Sequence, residues 1–408
     1  MPLNISTIRA SFPALAQKVN GAPLIYLDNA ATTQISRATM DAMHMFEEHG
    51  RANVHRSMHV LAERASVAYE GARASVQKFL NAKYLHEIIF VKNCTEGINL
   101  ITHSLGETVQ TGDTVLLSYL EHHSNIVPWL QLKARKSINV EWIEIDRAGH
   151  IDLEQYARLL SGKQVKLVAI TGQSNVLGIR PPLERMIRDA HAHGARVLVD
   201  AAQLAAHHQI DVQKLDCDFL TFSGHKVYGP TGIGALYGKR ELLERMPPFL
   251  GGGMMIHEVK EDRFSAADIP AKFEAGTPPI TQAIGMGTAV EWLNQFSWKD
   301  IEAHEQTVMA QALSGLLELE GITVLGPKDP DERSACISFT LEGIHPHDFT
   351  DALGKRGICL RAGHHCTQPL HRKLGLTATA RLSLGIYNTQ EELRLTTWEQ
   401  VMAALRSA

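Results

Sequence analysis

Hydrophobic and polar positions along the chain fall into two patterns. Short, nearly unbroken apolar runs recur at 87–91, 114–118, 165–170, 196–200, 219–222 and 234–237. Runs of that length, rich in Val, Ile, Leu and Phe, read as strands buried on both faces. Between them lie stretches with apolar residues at helical spacing, the longest at about 57–80, with others opening at Thr95 and spanning about 183–193. Strand and helix in alternation predict a parallel sheet covered on both sides. Leu24-Ile25-Tyr26-Leu27 adds a short strand, and Ile5, Ile8, Phe12 and Leu15 predict an amphipathic helix over 4–19.

Past residue 280 the pattern changes. Helices at about 280–296 and 300–319 lead to short strands at 322–325, 335–341 and 358–361, a helix at 346–356 and a last helix at about 390–406. Residues 249–254 and 273–279 are loops by their Gly and Pro content. The chain therefore divides into a large α/β unit, 21–298, and a smaller α+β unit built from 1–20 and 299–408.

Composition narrows the function classes. Of 408 residues 44% are hydrophobic and 21% charged, with a formal net charge of -4. No basic surplus points to nucleic acid or an anionic membrane surface, and no apolar run reaches a membrane span. The opening Met-Pro-Leu-Asn lacks a secretory pattern, so a cytoplasmic protein is expected. The five cysteines (94, 217, 336, 359, 366) are scattered, without a C-x-x-C pair. That argues against a disulfide framework or a thiolate zinc site and fits a reducing compartment.

In open parallel sheets, ligands sit at the carboxyl ends of the strands. Thr95, His123, Asn175, Asp200 and Lys226 all fall at predicted strand ends. Lys226 lies in residues 223–234, Ser-Gly-His-Lys-Val-Tyr-Gly-Pro-Thr-Gly-Ile-Gly. A lysine amine condenses with an aldehyde when it is neutral and held still. Glycines let the backbone approach a ligand, and Ser223, His225 and Thr95 at a helix start can donate to a phosphate. Asp200 suits a buried carboxylate that keeps a pyridine nitrogen protonated. Gln203 suits a phenolic oxygen, and His123 a ring face and proton transfer. The small-residue turn at 28–33 would let chain and ligand approach closely. Read singly, Thr95 and Asp200 serve equally as helix caps, His123 as a structural histidine, and His55 and Arg56 as a solvated helix start. Convergence on one edge favours a site.

A second feature is residues 361–367, Arg-Ala-Gly-His-His-Cys-Thr. Cys366 sits in a glycine-containing loop beside two histidines and near Arg361, surroundings that favour the nucleophilic thiolate. Arg381 lies on an otherwise apolar strand and needs a carboxylate, from the fold or from a substrate.

These stretches, together with residues 121–129 (Glu-His-His-Ser-Asn-Ile-Val-Pro-Trp) and 273–278 (Phe-Glu-Ala-Gly-Thr-Pro), resemble the cysteine desulfurases of the SufS/CsdA group, also described as selenocysteine lyases. That group belongs to the class V aminotransferase superfamily, and the resemblance runs from about residue 8 to 405. It implies a fold-type I pyridoxal 5'-phosphate enzyme with a mostly parallel seven-stranded sheet. It implies that Lys226 carries the cofactor, with Thr95, Glu96, His123, Asn175, Asp200, Gln203, Ser223 and His225 around it. Thr277 would reach the cofactor phosphate of the other subunit of a homodimer. Cys366 would attack the sulfur of L-cysteine, with L-selenocysteine an alternative substrate. Asn175, Arg361, Arg381, Ala30 and His55 would contact the substrate, and a SufE-like protein would accept the sulfur. No metal is implied. Cys94, Ala201 and Gly172-Gln173 depart from the usual threonine, glycine and His-Val. Two rival functions stay open on residues alone. One is another pyridoxal enzyme of this fold, an aminotransferase or lyase, and the other a metal or sulfur carrier using the His-His pairs at 122–123, 207–208 and 364–365.

Overall fold

The computed structural model describes residues 3–55, 57–393 and 396–406. The large sheet comprises β1 (Ile88–Val91), β2 (Thr114–Ser118), β3 (Asn139–Ile143), β4 (Val165–Thr171), β5 (Arg196–Asp200), β6 (Phe219–Ser223) and β7 (Gly234–Gly238). Their order is β1-β7-β6-β5-β4-β2-β3. All run parallel except β7, which is antiparallel to both neighbours.

Both faces of this sheet are buried. Leu116, Val197 and Val199 enter one core cluster, while Val115, Leu117 and Leu198 enter another. Successive side chains of a strand point to opposite faces, so two covered faces require an unbroken apolar run. Strand β3 lies at the sheet edge, and its Asn139 is exposed. Its mixed composition explains why the apolar runs predict only six strands. Helices α1 (Val60–Leu80) and α3 (Ile280–Leu293) pack on each other over one face, while α2 (Cys94–Gly106) lies in the cluster on the other. Gly287 permits that approach: a Cβ there would meet Ala72 Cα at 2.7 Å.

Helix α4 (Trp298–Glu318) leads into the smaller unit. There β8 (Ile322–Val324), β9 (Cys336–Leu341), β10 (Arg361–Gly363) and β11 (Thr379–Ser383) form an antiparallel sheet in the order β8-β9-β11-β10. Its core joins Leu313, Leu316, Ile337, Phe339, Leu382 and Trp398.

Two predicted elements are corrected. The helix over 4–19 is a helix at Ile5–Ala10 and a separate 3-10 turn at Pro13–Ala16, because Pro13 has no N–H to continue the ladder. The strand at 358–361 is two strands: Ile358–Cys359 pairs in parallel with Ile25–Tyr26, while Arg361 opens β10. The N-terminal segment crosses between the units: Ile8, Phe12 and Leu15 pack into the larger core and Leu27 into the smaller.

Candidate active site

A polar cavity of about 220 Å³ lies over the carboxyl ends of the large sheet, closed by the smaller unit. Cys94 and Thr95 enter it after β1, His122 after β2, Gln173 and Asn175 after β4, Asp200 from the end of β5, Ser223 from the end of β6, and His225 and Lys226 after it. Gln203 and the turn residues Ala30 and Ala31 complete that wall. Arg361, His365, Cys366 and Arg381 come from the smaller unit.

Lys226 ends a 3-10 turn, Gly224–Lys226, directly after β6. The turn is pinned from the other side of the site: the His225 carbonyl accepts from Thr33 N at 3.0 Å and from the hydroxyls of Thr32 and Thr33 at 3.1 Å each. Burial lowers the Lys226 pKa, with Asp200 and Cys94 opposing that shift. A buried amine disfavours its charge, the condition for nucleophilic behaviour. Asp200 is 3% exposed, and Oδ1 accepts from Ala202 N at 2.9 Å and from the Cys94 thiol at 3.2 Å. Ser223 Oγ accepts from Cys94 N at 2.9 Å, which fixes the start of α2 beside Lys226. Burial holds His225 at a pKa of about 4, its Nδ1 3.1 Å from Thr32 Oγ1. Gln203 donates Nε2 to the Ala30 carbonyl at 2.8 Å.

The cysteine loop is clamped to the large unit. The Cys366 carbonyl accepts from His123 N at 2.7 Å, and the His365 carbonyl from Asn175 Nδ2 at 2.8 Å. His365 and Cys366 have φ of 50° and 58°, consecutive left-handed residues without glycine. Such backbone persists only where the surroundings over-determine it. Strand pairing sets Arg361 opposite Arg381. Facing residues on adjacent strands share a sheet face, so both guanidinium groups serve one side. Arg381 is buried and donates to Asn175 O at 2.9 Å and to Asp28 Oδ1 at 3.2 Å. The carboxylate it requires is thus supplied by Asp28, whose own pKa burial raises against the pull of Arg381.

Several sequence expectations are redirected. The imidazole at the cavity is His122, not His123. After β2 the chain enters a 3-10 turn, His123–Asn125, for which His122 is the cap, its Nδ1 accepting from Ser124 N. That turns the 122 ring inward and leaves His123 Nε2 to accept from Gln368 N at 3.0 Å. Glu96 does not enter the cavity: its carboxylate folds back to Lys92 N at the start of α2, as a capping residue does. Thr277, expected at the other subunit's cofactor rather than this one, is exposed and lines a separate cavity with Glu47 and Arg51. His55 is exposed, 3.4 Å from Glu70, and does not line the cavity. Arg56 lies outside the described residues. Glu121, Gln173 and Asp28 belong to the site or its support without having been singled out. The Glu121 carboxyl, buried below His122, is pushed up to about 8 and accepts from Ser118 Oγ and Asn125 Nδ2. Its place in the 121–129 motif was the available signal.

The profile of the Aminotransferase class-V family matches residues 25–395. The chain belongs to that family. A protein of Synechocystis sp. described as a probable cysteine desulfurase is 45% identical over 397 residues, covering 97% of this chain and 94% of that protein. A cysteine desulfurase solved in its apo form, from Thermococcus onnurineus, superposes with a TM-score of 0.90 at 36% identity over 97% of this chain and 99% of that one. The cysteine desulfurase CsdA of Escherichia coli also gives 0.90, at 37% identity over 99% of both chains.

Pyridoxal 5'-phosphate is the cofactor of this class V enzyme, and the cavity fits it. Among the described residues, Gln173 Oε1, His365 Nδ1 and Arg381 Nε are buried without a hydrogen-bond partner, and all three belong to the lining. Buried polar atoms are rarely left so, and these await a polar occupant. The donor set agrees: an amine with a lowered pKa for an aldehyde, a buried carboxylate for a ring nitrogen, and a helix N-terminus with hydroxyls for a phosphate.

Proposed function

We propose that this cavity removes sulfur from L-cysteine, giving L-alanine and a persulfide on Cys366. The observation that carries the reading is that Lys226 and Cys366, remote in sequence and carried by different units, line one cavity with Asp200. The class V family match and near-full-length relatives described as cysteine desulfurases support the same pyridoxal-phosphate-dependent activity.

Bound there, the cofactor supplies an electron sink for charge at the substrate α-carbon. Lys226 would hold its aldehyde carbon, Asp200 the ring nitrogen, Gln203 the phenolic oxygen, and Thr95, Ser223 and His225 the phosphate. Arg381 Nε and the Arg361 guanidinium would receive the substrate carboxylate, beside Ala30 and Asn175. Lys226 Nζ takes the α-proton and returns one to the product. Cys366 Sγ attacks the substrate sulfur: a sulfur–sulfur bond forms, the substrate carbon–sulfur bond breaks, and its electron pair stays with the carbon fragment that is protonated to alanine. His122 Nε2 stands at the cavity for proton exchange with the substrate thiol.

Cys366 is half-buried at the rim, with exposed His364 and Arg361 beside it, which supports delivery of sulfur to a SufE-like protein or another thiol acceptor. L-selenocysteine, with the same carboxylate and amine and a selenol in place of the thiol, would be an alternative substrate. Exposed Met58, Val60, Leu61 and Val67 and the exposed Thr277 loop support a homodimer. Five cysteines without a disulfide support a reducing, cytoplasmic setting. Among the described residues, no helix is long and apolar enough to cross a membrane, and no group of three or more His, Cys, Asp or Glu is placed to hold a metal ion.

The test is L-alanine and persulfide formation from L-cysteine by the wild type and the Cys366→Ala variant. The variant is expected to bind the cofactor, shown by its visible absorbance, and to release no sulfur. Sulfur release at the wild-type rate by that variant sinks the proposal.

A further inference from the structure

At the base of the cavity, Cys94 stands where the family commonly has threonine. It opens α2, is 4% exposed, and its backbone N–H is fixed by Ser223 Oγ. Its Sγ lies 3.2 Å from Asp200 Oδ1, with the Thr221 carbonyl a more distant acceptor at 3.5 Å. Burial and the neighbouring carboxylate raise the Cys94 pKa, so the sulfur keeps its proton and can act only as a donor toward Asp200. A second observation points to what this arrangement serves. Among the described residues, both hydrogen bonds that the Asp200 carboxylate accepts, from Ala202 N and from Cys94, fall on Oδ1. A carboxylate 3% exposed is thereby held by one oxygen, and Oδ2 remains for whatever occupies the cavity.

We propose that Cys94 is a positioning residue for Asp200: its S–H donates to Oδ1 and turns Oδ2 toward the ring nitrogen of the cofactor. This rests on the reading of Asp200 as the partner of that nitrogen. A thiol is a weaker donor than the hydroxyl of threonine, so it orients the carboxylate while withdrawing less of its charge. Asp200 then presents a fuller negative charge to the ring than a hydroxyl neighbour would leave it. Cys94 takes no part as a nucleophile.

The role separates from simple packing by the order of two substitutions. If Cys94 only fills space, Cys94→Ala is the milder change, because Cys94→Ser buries a polar group in place of an apolar one. If Cys94 donates, serine restores what alanine loses. On the full-length chain, Cys94→Ala is expected to weaken pyridoxal phosphate binding by about tenfold, and Cys94→Ser to stay within about threefold of wild type. An independent readout is the infrared S–H stretch of Cys94, assigned by its loss in Cys94→Ala. It is expected at lower frequency than an unbonded thiol, and to rise in Asp200→Ala, measured against wild type stripped of cofactor. An alanine variant that binds the cofactor as tightly as wild type, or an S–H band indifferent to Asp200→Ala, overturns the proposal. Should Asp200→Ala itself keep wild-type affinity and visible spectrum, the reading of Asp200 falls instead, while the S–H band still decides whether the contact exists.

Discussion

The two adjacent histidines at the end of β2 offer the sharpest functional test. His122 lines the cavity, and burial holds its pKa at about 3, with Lys226 adding to the shift. It is therefore neutral at pH 7. Its Nδ1 accepts from Ser124 N at 3.1 Å, so the ring proton sits on Nε2, the nitrogen left to the cavity. An imidazole that donates at Nε2 can hand a proton to a departing or attacking sulfur. General acid–base groups of this kind contribute about 10²–10⁴ in rate. Replacing His122 by Ala also removes the cap on Ser124 N, at about 1 kcal/mol, which leaves the protein folded. His123 does something different. Its side chain only accepts from Gln368 N at 3.0 Å, while its backbone N–H makes the bond to Cys366 O that survives substitution. Losing the side-chain bond costs about 1 kcal/mol, or about fivefold in the population of the positioned loop. Alanine formation from L-cysteine at saturating thiol acceptor should then fall by at least about 10²-fold in His122→Ala and by no more than about fivefold in His123→Ala. The reverse order would falsify the assignment of the working imidazole to position 122.

Two further outcomes follow from the same geometry. Arg381→Lys keeps the charge but cannot reach Asp28 and Asn175 O at once, so KM for L-cysteine should rise at least about tenfold and the melting temperature should drop; an unchanged KM refutes its role. His122, His225 and His365 are held neutral by burial, with pKa values of about 3, 4 and 2, so the unfolded chain binds more protons below its ordinary histidine pKa. Stability should therefore be fully present above about pH 6.5 and decline on acidification toward those values, by up to about 2 kcal/mol per histidine at pH 5. A thermal midpoint that is flat from pH 7.5 to pH 5 contradicts this.

What could be read from the chain depended on how many constraints each position satisfies. Strands covered on both faces, such as β4 and β5, have one solution and announce it as apolar runs. The edge strand β3 satisfies less and looks like any mixed segment. Lys226, Asp200 and Cys366 were legible because each is a reactive group in a loop or at a strand end whose composition has few other uses. The choice between His122 and His123 was not, since one residue of rotation in a 3-10 turn decides it and no periodicity reports that. Arg381 was foreseen as needing a carboxylate, but Asp28 lies over 350 positions away, and only the docking of the turn at 28–33 against β11 names it. Glu96 was misassigned because a capping carboxylate and a ligand-binding one look alike in sequence.

The clamp on the cysteine loop bears on how sulfur leaves. His365 and Cys366 hold consecutive left-handed conformations, each costing on the order of 1–3 kcal/mol for a residue with a Cβ. Besides the Gln368 N to His123 Nε2 bond, three more contacts oppose their relaxation: His123 N to Cys366 O, Asn175 Nδ2 to His365 O, and the contact of His365 Nε2 with Thr379 Oγ1 at 2.9 Å. Two of these tie the loop to strand ends of the large unit and the third to β11 of the smaller one. To swing Cys366 away, these ties to the large unit would have to break, and the Asn175 whose carbonyl Arg381 holds would lose its amide's partner. The loop is therefore a fixed stage, and its sulfur stays at the rim where Cys366 is half-buried. On the proposed function, an acceptor would have to bring its own thiol to that rim, where His364 and Arg361 are exposed.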